Sequence, residues 1–508
     1  MQKLKLPLPT SDFICSDNLA YLKTIPDNFY DSVVTDGPYG LGDEPDVIEV
    51  LKDWIEKGYH EVKNKGGFMG KSWDKFVPQP IFWKEVFRVL KPGGHLLAFC
   101  GTRTYDWMVM SIRLGGFEIR DCLQWIYGSG FPKSMNISKA IDKAAGAKRE
   151  ETGRFKIRHV GGKHSKNIGQ LNPEIKETPI TTPATDEAKQ WDGWGTAVKP
   201  AYEPICLARK PISEKTIVEN VLLHGTGAIN IDESRIGFTG EKDLASATFG
   251  RGTDTLSGNY VGAAHGNGLE NIEANPKGRW PANIIFSHHP DCEYIGKQKV
   301  KAISSGKGDK SMGGMGKNGI YGKYDLDRLG ANAGGLGDEN GQETVDHYNC
   351  HPDCPVKILD EQSGILKTGA MKKHYEYTNT GNSFGSPSGQ VKNLYDANSG
   401  GASRFFYCAK SSRSERNKGL ENIGQNIHPT VKPVKLMQYL VRLITPPGGT
   451  CLDPFNGSGT TGIACKLEGF NYVGIDNMQE HIDISIARIK AWEPEPEDYD
   501  NQLSLNFE

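Results

Sequence analysis

Asp453-Pro454-Phe455-Asn456-Gly457-Ser458-Gly459-Thr460-Thr461-Gly462 is a glycine-bearing loop between two patterned segments, and it sets the fold class. It lies between a short apolar run, Thr450 to Leu452, and a helical pattern from Gly459 to Leu467. Glycines let backbone approach a ligand closely, and a helix N-terminus offers free N–H groups to an anion. No Gly-Lys-Ser/Thr follows, so this is not the lysine-bearing P-loop of phosphate binders. About a dozen residues on, the strand pattern Tyr472 to Ile475 runs into Asp476 and Asn477. An acid at the tip of a second strand is where nucleotide-binding α/β folds hold a pair of ribose hydroxyls. The order strand, glycine loop, helix, strand, acid therefore predicts an α/β unit with a ligand across its strand tips.

Working outward, Lys432 to Ile444 reads as an amphipathic helix, Pro446 to Gly449 as a turn and Gln479 to Trp492 as a last helix. The same texture appears at the other end of the chain. Tyr30 to Thr35 is a β-branched run into Asp36, Pro80 to Leu90 has helical spacing, and Lys91-Pro92-Gly93-Gly94 breaks it before a buried-strand candidate, His95 to Phe99. A helix near Tyr105 to Leu114 and a strand over Phe117 to Ile126 follow. From 129 to 403 regular periodicity fades into glycine, serine, asparagine and lysine, with islands of packing at Trp191 to Ala208, Thr216 to Ile231 and Trp280 to Phe286. The expected layout is thus 11–128 and 404–492 as two halves of one core, 129–403 as a large irregular insertion with glycine-rich loops, and 493–508 as an acidic tail.

The second chemical signal is Thr35-Asp36-Gly37-Pro38-Tyr39-Gly40, an acid, a proline and an aromatic at a strand tip. Together the two loops resemble the amino-methyltransferases of DNA, whose catalytic motif is D/S/N-P-P-Y and whose cofactor motif is D-P-F-x-G-S-G-T-T. Here the catalytic motif precedes the cofactor motif, the circularly permuted order of the β group of N6-adenine and N4-cytosine enzymes. Asn426-Ile427-His428-Pro429-Thr430-Val431-Lys432-Pro433 resembles the family's H-P-T-x-K-P segment, and Ser16-Asp17-Asn18 with Leu22 and Ile25-Pro26-Asp27 its opening. Arg404-Phe405-Phe406-Tyr407-Cys408-Ala409-Lys410 resembles the segment that closes the variable region. Trp194-Gly195-Thr196-Ala197, Lys199-Pro200-Ala201-Tyr202-Glu203-Pro204 and Gly278-Arg279-Trp280-Pro281-Ala282-Asn283 look like the phage and prophage branch. One departure stands out: Gly37 replaces the family's first proline, which loosens the turn while keeping its carbonyl.

The resemblance implies a Rossmann-like, S-adenosylmethionine-dependent methyltransferase core with its motifs in permuted order. Asp36 and the Gly37 carbonyl would accept the two hydrogens of an exocyclic amine, Pro38 would shape the turn, and Tyr39 would stack on a base flipped from double-stranded DNA. It also assigns Asp476, with Asn477 beside it, to the ribose of the cofactor and Asp17 to the adenine side. Asp453, Pro454, Phe455, Gly457 and Gly459 would form the cradle, and Thr460, Thr461, His428 and Lys432 the methionine end, with Asp36 bordering it. Asp36 in place of serine favours adenine N6. The alternatives are cytosine N4 or an inactive DNA-binding relative, while RNA or protein methylation is disfavoured by the motif order.

Composition bounds the remainder. The 508 residues carry a formal net charge of −2, so any DNA footprint must be local. Lys133 to Lys166 holds ten Lys/Arg and three acids, and Lys297 to Lys317 six lysines and one acid, which marks both as candidate phosphate-contacting segments. Two H-P-D-C units, His288-His289-Pro290-Asp291-Cys292 and Cys350-His351-Pro352-Asp353-Cys354, make His289, Cys292, Cys350 and Cys354 candidate ligands of a structural zinc, with His351 as an alternate. Ten unevenly spaced cysteines do not form a secreted disulfide framework, and no run is apolar enough for a membrane span, so the expected setting is cytoplasmic. The oligomeric state stays open, a dimer included.

Overall fold

The structure is a computed structural model that describes residues 10–63, 72–127, 134–159, 174–237, 249–250, 271–272, 277–289, 291–301, 342–352, 354–363, 366–367, 399–400, 406–409, 414–421, 424, 426–428 and 430–493. The acidic tail beyond 493, the glycine-rich runs at 238–248 and 302–341, Lys133, most of the basic stretch 297–317, and Arg404, Phe405, Lys410 and Pro429 of the family-like segments lie outside the described residues. The chain forms two compact units. Unit 1 comprises 1–230, 283–290 and 409–508, and unit 2 comprises 231–282 and 291–408.

Unit 1 is organised on a mixed sheet. Eight of its strands are β1 (Ser11–Cys15), β2 (Tyr30–Thr35), β3 (Leu90–Phe99), β4 (Glu118–Ile126), β5 (Tyr202–Arg209), β6 (Ile284–Ser287), β7 (Thr450–Asp453) and β8 (Asn471–Asp476). They lie side by side in the order β1, β8, β7, β2, β3, β5, β4, β6. All neighbours run parallel except β5, which is antiparallel to both β3 and β4. The inner strands read as near-continuous apolar runs because both faces are covered, as parallel strands require. Every residue of β2 is buried, as are the four central residues of β8. This is a Rossmann-like α/β sheet, and the two sequence-distant halves are interleaved in it: β1 pairs with β8, and β2 with β7.

Residues 129–230 and 283–290, within the stretch expected as an insertion, fall in unit 1 and supply β5 and β6. The helix stops at Val89, one residue short of the expected end, and Lys91-Gly94 belongs to β3 itself, with an irregularity where Tyr30 pairs with Leu90 and Ser32 with His95. The helix expected from Lys432 starts only at Val434, because Pro433 takes the extended N-cap position. That helix, Val434–Ile444, is also buried nearly all round, so the charged Lys432 sits on the extended approach rather than on a solvent face.

The loop facing the strand tips is anchored by aromatics. Trp54, Phe76 and Trp107 pack with centroids 5.4 to 5.7 Å apart, and Trp54 is 1% exposed. Edge-to-face contacts of this kind add about 0.5–1.5 kcal/mol each to the burial itself. They fix the segment that carries Asp74, which matters below. Elsewhere in unit 1, strands Glu150–His159 and Glu174–Thr182 form an antiparallel hairpin beside the helix Ile137–Ala144. Buried Asp142 accepts from the Ala184 and Thr185 N–H groups and from Arg149.

Unit 2 is described mainly through a second hairpin, Glu293–Lys301 with Gln342–Asn349, and the helix Pro355–Ser363. No helix among the described residues is long and apolar enough to cross a membrane.

Candidate active site

The C-terminal ends of β2 and β8, with the loops around them, open onto one cavity of about 760 Å³. Asp17, Asp36, Gly37, Pro38, Tyr39, His428, Pro454, Phe455, Gly457, Asp476 and Asn477 all line it. Parallel strands present their carboxyl ends on one edge, so two loops more than 400 residues apart in sequence meet there. The loop after β2 is held by backbone capture. The carboxylate of Asp74, 2% exposed, accepts the N–H groups of Tyr39 (2.7 Å) and Gly40 (2.9 Å), and the Thr104 hydroxyl donates to the Tyr39 carbonyl.

Gly37 acquires a reason here. A Cβ at this position would stand 2.9 Å from Cδ2 of Phe455, whose ring in turn packs on Phe82 at 5.1 Å. The cofactor-motif phenylalanine occupies the space that the family's proline would need. The expected loosening of the turn is thus offset by a ring closing over it.

Beneath the loop lies a buried charge cluster. Lys432 Nζ donates to Asp36 Oδ2 at 2.7 Å and to the Tyr39 hydroxyl at 3.2 Å, and it is 3.3 Å from Glu203 Oε2. The Tyr39 hydroxyl lies 2.9 Å from Asp36 Oδ1 and 2.6 Å from Glu203 Oε2, so its one proton is shared between two carboxylates. Burial disfavours the charge on Lys432, but Asp36 and Glu203 outweigh it and raise its pKa above the ordinary lysine value. Burial, then the same two carboxylates, pushes the Tyr39 phenol far up, so it stays protonated. The Phe99 ring adds a cation–π face 4.9 Å from the lysine nitrogen. Two carboxylates against one ammonium leave the cluster with a formal charge of −1.

The loop after β7 is built differently. Asp453 is 2% exposed and fully engaged: Thr35 (2.7 Å) and the Phe455 N–H (3.1 Å) donate to Oδ1, and Thr461 (2.6 Å) donates to Oδ2. Burial raises its pKa to about 6 against these lowering hydrogen bonds. Asp476 at the tip of β8 accepts the Gly457 N–H at 2.9 Å and the Met478 N–H at 3.0 Å. Gly457 has φ +49°, and a Cβ there would meet His428 Nε2 at 2.8 Å. Only glycine gives both this conformation and this clearance. The buried guanidinium of Arg488 holds the loop from behind, donating to the Ser458 carbonyl at 2.6 Å. Burial, reinforced by His481, lowers the His428 pKa to about 4, so its ring is neutral at pH 7. Its Nε2 edge lies against Gly457, while its buried Nδ1 has no hydrogen-bond partner among the described residues.

Other expected residues fall beside the main cavity rather than in it. Lys432, Asp453, Thr460 and Thr461 border a small adjoining hollow of about 20 Å³, together with Asp36 and His428. Gly459 serves as the left-handed cap of the helix Thr460–Glu468, with φ +77°. Asp17 lines the main cavity and also caps the helix Asn18–Leu22, accepting the Ala20 N–H at 2.8 Å.

Sequence reasoning missed Glu203 as a member of the site. It was visible only as part of a family-like Pro-Ala-Tyr-Glu-Pro string. The register Trp125↔Glu203 on β5 brings it to Tyr39. Of the expected metal ligands, Cys292, Cys350 and Cys354 belong to unit 2 and bring their sulfurs within 4.8 Å of one another. His289 falls in the 283–290 segment of unit 1.

Comparison with known proteins agrees with the motif reading. Residues 342–487 match the family described as DNA methylase. The chain is 38% identical over 84 residues to the type II methyltransferase M.HinfI of Haemophilus influenzae, covering 16% of this chain and 23% of that protein. It is 42% identical over 64 residues to the type II methyltransferase M2.DpnII of Streptococcus pneumoniae, covering 13% and 24%. The matches thus span about a quarter of the length of these curated relatives. Among solved structures, the M1.HpyAVI–SAM complex aligns over 94% of this chain and 99% of its own, at 11% identity and a TM-score of 0.32. The PvuII cytosine-N4-specific DNA methyltransferase aligns over 98% and 96%, at 12% identity and a TM-score of 0.36.

Proposed function

We propose that this chain, whose residues 342–487 match the family described as DNA methylase, is an S-adenosylmethionine-dependent DNA amino-methyltransferase acting on adenine N6. The observation that carries the reading is the convergence of Asp36 and Asp476 on one cavity of about 760 Å³ at the ends of parallel strands. That volume lies within the range of small-molecule sites and leaves room for a cofactor beside a flipped base.

The residues present fit the cofactor. Asp476 is oriented by two backbone N–H groups for a pair of hydroxyls, and Gly457 leaves the clearance that a close-lying ligand needs. His428 contributes a neutral ring with an unpartnered nitrogen. Once bound, the cofactor supplies a methyl group already activated by its sulfonium. The chain's own task is to position the acceptor amine. An exocyclic amino nitrogen is a poor nucleophile because its lone pair is delocalised into the ring. Asp36 and the Gly37 carbonyl accept its two hydrogens and draw the nitrogen towards tetrahedral geometry. Lys432 and the Tyr39 hydroxyl fix the Asp36 carboxylate, so little reorganisation remains when the amine arrives. The cluster's net negative charge suits an acceptor that gains positive charge as the new bond forms.

The test incubates the protein with mixed-sequence DNA and S-adenosylmethionine and identifies modified nucleosides by mass spectrometry. N6-methyladenine is the expected product. N4-methylcytosine would overturn the choice of base, and bound cofactor without any modified base would overturn the reaction.

A further inference from the structure

Unit 2 carries a cluster the methyl-transfer reading leaves unused. Its hairpin pairs Glu293 with Asn349 at the open end, so Cys292 and Cys350, the next residue outward on each strand, face one another across the base. Four residues beyond Cys350, Cys354 immediately precedes the helix Pro355–Ser363. A tight turn sets that helix start, with the Cys354 N–H donating to the His351 carbonyl and the Ile358 N–H to the Cys354 carbonyl, both at 2.9 Å. The outcome is three sulfurs mutually within 4.8 Å, with Cys354 fully buried. None of the three is in a disulfide.

We propose that Cys292, Cys350 and Cys354 are three ligands of a tetrahedral zinc ion that fastens the base of this hairpin. Two observations favour a metal over a chance gathering of thiols. The His351 N–H donates to Cys292 Sγ at 3.3 Å, the backbone support that a thiolate carrying negative charge draws on. The placement is also that of a fastener. The hairpin strands are separated by the forty residues 302–341, rich in glycine and lysine, which offer little apolar surface for a core. Closing such an excursion needs a cross-link at its base, and a structural zinc contributes its binding energy to folding. Ligand atoms around tetrahedral zinc with thiolate bonds stand about 3.8 Å apart, so the cluster needs only a small contraction. Three thiols also argue against a simple disulfide, which would strand the third.

The experiment measures metal on the full chain, purified without chelator, by elemental mass spectrometry. One zinc per chain is expected. The cobalt-exchanged protein should show the intense charge-transfer absorption of several thiolates with tetrahedral d–d bands. Cys350→Ser and Cys354→Ser should each lose the metal, whereas Asp36→Ala should keep it, which separates this site from the methyl-transfer reading. Cobalt spectra of the unmutated chain keep the test open should a cysteine variant fail to fold. Absence of metal with all three thiols reacting freely would overturn the proposal, as would a mass two hydrogens light, the mark of a disulfide.

Discussion

Asp36 and Asp453 are the same residue at nearly the same place, at the C-terminal tips of the adjacent parallel strands β2 and β7, yet the fold uses them in opposite ways. Asp453 has each oxygen filled from within: two threonine hydroxyls and a backbone N–H hold it, and it is sealed from the main cavity. One of those hydroxyls belongs to Thr35, the residue just before Asp36, so Asp453 latches the strand that delivers its neighbour. Asp36 lines the cavity and is held by the Tyr39 hydroxyl and by an ammonium. Both carboxylates are held by donors of the fold, so what separates a latch from a reacting group is where the acid faces: Asp453 is closed off beneath its three donors, while Asp36 keeps a side on the main cavity.

The largest test of that contrast is Asp36→Ala. Removing a preorganised partner of the reacting centre lowers kcat by roughly 10²–10³-fold, with cofactor binding by calorimetry retained. Turnover near the unmutated rate would break the comparison on its functional side. Asp453→Ala should act on stability instead. It orphans the Thr35 and Thr461 hydroxyls and the Phe455 N–H, at a cost of about 1–3 kcal/mol for buried unsatisfied groups, read from denaturant unfolding. Its pH dependence is diagnostic. The folded-state pKa, about 6, lies above the unfolded value of 3.8. The unfolded chain therefore releases this proton first as pH rises, and the stability contributed is full below 3.8 and fades as pH passes through about 6. The gap between unmutated chain and variant should be wider at pH 4.5 than at pH 8. An unchanged gap would show that the latch is not a buried, raised-pKa acid.

Glu203→Gln sharpens the other half. Glu203 is a positioning residue, acting through Tyr39 and Lys432 rather than on the acceptor. Weakening one charge-assisted hydrogen bond should cost roughly tenfold in kcat with KM for DNA little changed. A matching fall in thermal stability with kcat intact would instead make it a second latch.

Much of this contrast was readable in the chain, and the unread part has a physical cause. The strand–loop–helix grammar around 450–476 and 30–40 is local, because glycine spacing, apolar runs and terminal acids show it directly. Lys432 was legible through its segment, although Pro433 moved it off the helix and into the cluster. Glu203 was not, since its place depends on β5 inserting antiparallel between β3 and β4, a long-range pairing that leaves no local signature. The buried run Ile205 to Ala208 was a clue, because uninterrupted apolar residues mark a strand covered on both faces. It read as an island of packing within the insertion rather than as a strand of the core sheet. Gly37 was read as a loosened turn because the ring that fills its space lies 418 positions away in sequence, at Phe455.

That ring yields the smallest and most specific prediction. Gly37→Ala moves the loop one atom towards the family's proline, but the new Cβ lies 2.9 Å from the Phe455 ring. An aromatic edge can tilt where backbone could not, so the expected cost is about 1 kcal/mol, the low end for overpacking, with a few-fold loss in kcat/KM as the Asp36 loop shifts. If the clash is the cause, Phe455→Leu should relieve it. The double variant would then be more stable than the sum of the two single losses, with a coupling of at least about 0.5 kcal/mol. Strict additivity would mean that Gly37 and Phe455 do not answer one another. The difference between the two tip loops would then rest on the aspartates alone, since Phe455 is where the loop after β7 meets Gly37 of the loop after β2.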